Sequence, residues 1–224
     1  MSVFRTVFHD NRTQASLLLT ACAALVVFQL AGLASGAAVA KLVASSAFLA
    51  AAVSAGAFRS NYGRSIFTGL VFSWFGDMFL LGASQELFLA GLASFLLGHV
   101  AYIVAFAIRG INGRWSLAAV VPIAAVSLAV TLWLAPYVAP YMLIPVRIYT
   151  IVISLMVIAA IGTRGAGGPL LIPVGAALFY FSDLSVATMQ FTEPAIPTYI
   201  WGLPFYYTGQ LLFALSVAYL PDNK

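Results

Sequence analysis

Phe72-Ser73-Trp74-Phe75-Gly76-Asp77-Met78-Phe79-Leu80-Leu81 sets one carboxylate inside a run that is otherwise almost entirely apolar. Leu178-Phe179-Tyr180-Phe181-Ser182-Asp183-Leu184 repeats the arrangement further along the chain. Neither run alternates apolar with polar residues, as a strand of a membrane barrel does over ten-residue segments. Both read instead as parts of helices that cross a bilayer. An ionisable group at that depth costs roughly 2.5–3.5 kcal/mol on insertion scales, so each aspartate needs a functional or structural reason.

The rest of the chain supports the same reading. Hydrophobic residues make up 63% of the 224 and charged residues 7%, and the mean hydropathy is +1.04. A water-soluble domain of this length cannot bury so much apolar surface, so the solvent for most of it is lipid. At ~20 residues per crossing there is room for about eight helices and short connectors. The breaks made by charge, Gly and Pro place spans near residues 15–33, 37–57, 65–83, 87–108, 115–135, 140–162, 170–190 and 198–220. The expected fold is therefore all-α: one polytopic membrane domain over residues 1–224, with no separate soluble unit.

Charge sets the expected orientation. With eight spans, Arg5, Arg12, Arg59, Arg64, Arg109, Arg114, Arg164 and Lys224 fall on the side of the N-terminus. The opposite loops carry Glu86 and Glu193 and no Lys or Arg. The positive-inside rule then puts both termini in the cytoplasm, and in a bacterial host the membrane would be the inner one. The net charge of +4 is accounted for by topology and does not suggest a nucleic-acid partner. Ala38-Val39-Ala40 imitates a signal-peptide cleavage site, but cutting there would remove a span and spoil the charge alternation. The single Cys22 lies in the first span and reads as packing.

Two cations are not in loops. Lys41 falls near the outer end of the second span and Arg147 in the outer half of the sixth. Arg147 follows Lys41 by 106 residues, and Asp183 follows Asp77 by the same 106. The offset also aligns Gly69 with Gly175, and Gly76 with Ser182. Further on, Gly98-His99 resembles Gly209-Gln210 with a slip of five residues. This pattern suggests two four-span halves in the same orientation, a parallel internal repeat. At 1.5 Å per residue, Lys41, Asp77, Arg147 and Asp183 should lie about 5–15 Å from the outer boundary, with His99 and Gln210 deeper as a polar floor. Ser73 is a helical turn from Asp77, and Tyr206 and Tyr207 are about a turn from Gln210.

The cluster admits several readings. Two ion pairs could simply lock helices together. A metal-dependent hydrolase is poorly supported, since His9 is in the N-terminal tail and only His99 is interior. Serine-nucleophile chemistry lacks a Gly-x-Ser-x-Gly elbow. Acid–base chemistry by two carboxylates remains, and it requires neither metal nor cofactor. A small-molecule or proton-coupled transporter is the competing class, since buried carboxylates and a parallel repeat also suit alternating access.

Four segments carry a family resemblance: Ser73 to Leu81, Phe95-Leu96-Leu97-Gly98-His99-Val100-Ala101-Tyr102, Gly175 to Asp183, and Tyr206-Tyr207-Thr208-Gly209-Gln210. In this order they resemble the signature segments of the YhhN/TMEM86 lysoplasmalogenase family. Leu42 departs from the pattern, which favours Pro after the lysine. The resemblance implies hydrolysis of the vinyl ether bond of lysoplasmalogens, giving a fatty aldehyde and a glycerophospho-alcohol, with Asp77 and Asp183 catalytic. A lysophospholipid and water would be the substrates, with membrane lipid around them. Such ethers are cleaved by protonation on carbon followed by capture of water, which calls for one carboxylic acid and one carboxylate. Two neighbouring carboxyls in a low dielectric can share a proton. Lys41 and Arg147 would hold the substrate phosphate or pair with the aspartates. His99, Tyr207 and Gln210 would position water and the glycerol hydroxyl, with Ser73 and Ser182 in support.

Overall fold

The computed structural model describes residues 11–219, and among these every regular element is helical. Eight α-helices follow one another: α1 (Arg12–Leu30), α2 (Ala34–Ser54), α3 (Asn61–Phe79), α4 (Gln85–Arg109), α5 (Gly113–Leu134), α6 (Leu143–Gly165), α7 (Leu171–Phe191) and α8 (Tyr199–Ser216). Each falls within a few residues of an expected span. Arg5, His9 and Lys224 lie outside the described residues.

The helix ends lie where the sequence breaks, for local reasons. Ser60 Oγ accepts from the Gly63 amide and Ser84 Oγ from the Leu87 amide. Asn112 Oδ1 accepts from the Arg114 and Trp115 amides. Each cap satisfies donors that the first helical turn leaves unpaired. Gly110 ends α4 at φ 107°, a conformation that a side chain would resist. The Ala38-Val39-Ala40 segment is part of continuous helix in α2.

Six helices (α1, α2, α4, α5, α6 and α7) are long and apolar enough to cross a membrane, which makes this an integral membrane protein. The other two, α3 and α8, are less apolar. They carry Asn61, Arg64, Thr68, Ser73 and Asp77 in one case, and Tyr206, Tyr207, Thr208 and Gln210 in the other. The departure from eight uniformly apolar helices thus falls on the two that supply much of the polar interior.

Successive helices pack as hairpins, and two hairpins close through glycine. A Cβ on Gly98 of α4 would stand 3.2 Å from the Gly69 carbonyl oxygen of α3. On Gly209 of α8 it would stand 2.9 Å from the Gly175 carbonyl oxygen of α7. In lipid, helix association depends on this kind of close backbone approach, because no hydrophobic driving force separates helix from solvent. Aromatic rings fill the space beside each crossing: Tyr102 lies over Gly69 and Phe213 over Gly175. Further packing joins α2 to α3 and α8, and α6 to α4 and α7. Helix α5 is peripheral. It packs against α6 and buries only Ala119 and Leu134.

Gly209→Ala should therefore push α7 and α8 apart and destabilise the protein by about 1–3 kcal/mol, the usual cost of overpacking. Gly113→Ala, where an added Cβ meets nothing within 4 Å, should leave stability unchanged or slightly higher. Thermal unfolding of the two variants in detergent checks the contrast.

Candidate functional site

Asp77 sits two residues before the end of α3, and its side chain is 4% exposed. Neighbouring helices compensate it. From α2, Lys41 Nζ stands 3.5 Å from Oδ1. Ser45, one turn after Lys41 on the same helix, donates from Oγ to Oδ2 at 2.7 Å. From α8, the Tyr206 hydroxyl donates to the same oxygen at 2.7 Å. The Tyr207 hydroxyl is 3.2 Å from Ser45 Oγ and so supports the serine. A cation and two hydroxyl donors all favour the ionised carboxylate.

Asp183, on α7, has different company. The Tyr149 hydroxyl of α6 donates to Oδ2 at 2.6 Å. His99 of α4, with no exposed side-chain surface, places Nε2 3.5 Å from the same oxygen, too long for a firm hydrogen bond. Its ring packs against Phe179 and Tyr149, with centroids 4.6 and 5.2 Å away. Asp183 Oδ1 makes no hydrogen bond among the described residues, and the side chain is 16% exposed.

Both carboxylates line one cavity of about 410 Å³, to which all eight helices contribute. Lys41 and Ser182 also line it, as do Gln29, Tyr180 and Tyr199. The remaining wall is mostly apolar, with Phe88, Leu92, Phe95, Leu134 and Leu203 among the side chains that form it. Its dimensions and its mixture of a few convergent polar groups with apolar walls suit a small amphiphile.

Most of the expected site residues gather here, in two layers. Lys41, Asp77, Ser182 and Asp183 face the cavity. His99, Ser73, Tyr207 and Gln210 are buried behind it. Gln210 Oε1 accepts from the Tyr102 hydroxyl at 2.6 Å, which joins α8 to α4. Ser73 Oγ packs at the Gly98 crossing, 3.3 Å from where a Cβ would stand. Arg147 is the exception. It lies in the first turns of α6 as expected, but its side chain is exposed and forms no ion pair with either aspartate. Helical rotation is the reason. Tyr149, two positions later, is the α6 residue turned towards Asp183.

Sequence reasoning passed over Ser45 and Tyr149, and gave the site role to Tyr207 where Tyr206 is the tyrosine on Asp77. Ser45 could have been found from its spacing to Lys41, which puts both on one face of α2. Tyr206 and Tyr207 both stand about a turn from Gln210, so spacing alone did not single out Tyr206 as the tyrosine that reaches a carboxylate. Tyr149 had no such signal, since the 106-residue offset pairs it with Val43.

Residues 36–217 match the YhhN family. The chain belongs to that family. Among curated proteins it is 32% identical over 157 residues to "Lysoplasmalogenase TMEM86A" of Bos taurus, covering 67% of this chain and 64% of that protein. It is 34% identical to the Homo sapiens protein of the same name, with the same coverage. With "Lysoplasmalogenase TMEM86B" of Sus scrofa, identity is 29% over 165 residues, covering 73% of this chain and 68% of the relative. The matched segment thus spans just under two thirds of the two TMEM86A proteins. No solved structure matches the chain. Of the site, Gln29 alone lies outside the family match, since α1 ends before residue 36.

Removing one partner of a buried ion pair leaves the other uncompensated, at about 3–5 kcal/mol. Lys41→Met should show a loss of that order, and Lys41→Met with Asp77→Asn should recover much of it. A double-mutant cycle on thermal unfolding measures the coupling.

Proposed function

We propose that this protein is a lysoplasmalogenase: it hydrolyses the vinyl ether bond of a lysoplasmenyl phospholipid, releasing a fatty aldehyde and a glycerophospho-alcohol. The single observation that carries this reading is that Asp77 and Asp183, on separate helices and in unlike surroundings, line one amphiphile-sized cavity. The names of the TMEM86A and TMEM86B relatives point to the same substrate class.

The chemistry follows from the bond. A vinyl ether resists nucleophiles, and its cleavage begins with proton transfer to carbon, which creates an oxocarbenium ion. One carboxylic acid must supply that proton, and a nearby carboxylate favours the positive charge that develops. Water then captures the cation, and the hemiacetal collapses to aldehyde and alcohol. Asp77 and Asp183 take these two parts. Lys41, held against Asp77, leaves the cavity one cationic group for the lipid phosphate, while the apolar side chains accommodate the hydrocarbon chain. His99, Tyr207, Gln210, Ser73 and Ser182 hold this constellation in place. The carrier alternative gains nothing from the relatives, whose names describe an enzyme.

The arrangement in the membrane forms part of the same proposal. All eight helices would span the bilayer as one domain, with both termini in the cytoplasm and the cavity opening towards the outer interface. The two halves would be a parallel duplication. The 106-residue spacing and the alike Gly69/Gly98 and Gly175/Gly209 crossings support that view.

Purified protein in detergent should release aldehyde from lysoplasmenyl lipid, with chelator present and no added metal. Asp77→Asn and Asp183→Asn should each lower turnover by about 10²–10⁴-fold, the range expected of a lost acid–base group. Near-normal turnover in either variant would sink the two-aspartate mechanism. A C-terminal reporter active only in the cytoplasm should be active, and silence would refute the proposed topology.

A further inference from the structure

The two aspartates are equivalent by spacing and unequal by environment. Asp77 has both oxygens committed, Oδ1 to the Lys41 ammonium and Oδ2 to the Ser45 and Tyr206 hydroxyls. Asp183 has one oxygen committed, to the Tyr149 hydroxyl beside His99. Its Oδ1 is unengaged among the described residues. The Asp183 side chain is four times as exposed, 16% against 4%, and that exposure opens on the cavity. No ammonium or guanidinium of the described residues pairs with Asp183, because Arg147 points away.

These differences decide which group can do which task. A carboxylate out of water is tolerated where a cation and donors compensate it, and Asp77 has one cation and two hydroxyl donors. A proton donor needs an oxygen within reach of the substrate, and only Asp183 offers one. From this geometry we infer that Asp183 both delivers the proton and takes one back, while Asp77 stays ionised as a fixed counter-charge; this rests on the vinyl ether hydrolysis proposed above.

The steps balance around one carboxyl. The Asp183 O–H bond breaks as its proton moves to the vinyl carbon remote from the ether oxygen. The alkene electron pair forms the new C–H bond, and an oxygen lone pair closes the C=O⁺ bond of the oxocarbenium ion. Asp183 is now a carboxylate. Water attacks the oxocarbenium carbon, and one of its protons passes to Asp183, restoring the acid and leaving a neutral hemiacetal. That hemiacetal collapses as its hydroxyl proton passes to the departing glycerol oxygen and the C–O bond to glycerol breaks. The net change is vinyl ether plus water to aldehyde plus alcohol. Tyr149 acts through Asp183 as a positioning residue, holding Oδ2 so that Oδ1 faces the substrate.

Infrared spectroscopy of the resting protein tests the assignment without substrate. The chain has six Asp and Glu in total, so the carbonyl stretch of a protonated carboxyl is readable at neutral pH in an ester-free detergent. The wild type should show one such band, lost in Asp183→Asn and kept in Asp77→Asn. Two milder variants cover the case in which an aspartate replacement fails to fold. Tyr149→Phe should move the band to higher frequency, because the carboxyl loses a donor, and Tyr206→Phe should leave it in place. A band lost with Asp77, a band moved by Tyr206→Phe and not by Tyr149→Phe, or no band at all overturns the inference. Failure of the hydrolase reading is a separate result, the absence of aldehyde from wild-type protein, and the spectra do not depend on it.

Discussion

Asp77 is compensated by side chains from two other helices, Lys41 and Ser45 of α2 and Tyr206 of α8. A carboxylate in an apolar interior is costly unless each oxygen finds a partner, and here no single helix could supply them. That requirement draws α2, α3 and α8 together at one end of the bundle. Tyr206 is itself wedged edge-on among Phe48, Phe95 and Phe179, so the polar contact and the aromatic packing constrain the same ring. The glycine crossings then set how near the backbones come, and the cavity is the space left between them.

The two aspartates occupy like positions in unlike surroundings. The crossings at Gly69/Gly98 and Gly175/Gly209 are built alike, and the carboxylates stand at matching points beyond them. Around those matching points the side chains differ. Asp77 meets Ser45, Tyr206 and an inward lysine, whereas Asp183 meets Tyr149 and His99 and the matching arginine is turned outward. Unlike surroundings suit the two parts proposed for these groups, since an acid and a carboxylate require opposite environments.

The cavity wall depends on the less regular parts. The cavity draws its apolar wall from α4, α5, α6, α7 and α8, while α1 contributes Gln29 at its end. Helix α5 is held mainly by α6, with polar bridges where Ser116 Oγ donates to the Ile158 carbonyl at 3.4 Å and where Ser127 meets Ser154 at 2.6 Å and Tyr180 of α7 at 3.1 Å. The tightly packed hairpins position the carboxylates, and the more loosely attached helix closes the side along which a hydrocarbon chain would lie.

The sequence by itself determined the class, the eight helices and their ends, because apolar runs, Ser and Asn caps and Gly stops are local signals that nothing distant needs to complete. It also singled out Lys41, Asp77, His99, Asp183 and Gln210, since polar groups are rare and expensive in such a chain. Only the tertiary structure decided which way each side chain turns. A helix rotates by 100° per residue, so a two-residue difference separates the outward Arg147 from the inward Tyr149. The rotation of α6 is set by packing against α4 and α7, which no local pattern encodes. For the same reason the unequal surroundings of Asp77 and Asp183 were invisible in two motifs that look alike: their partners come from other helices.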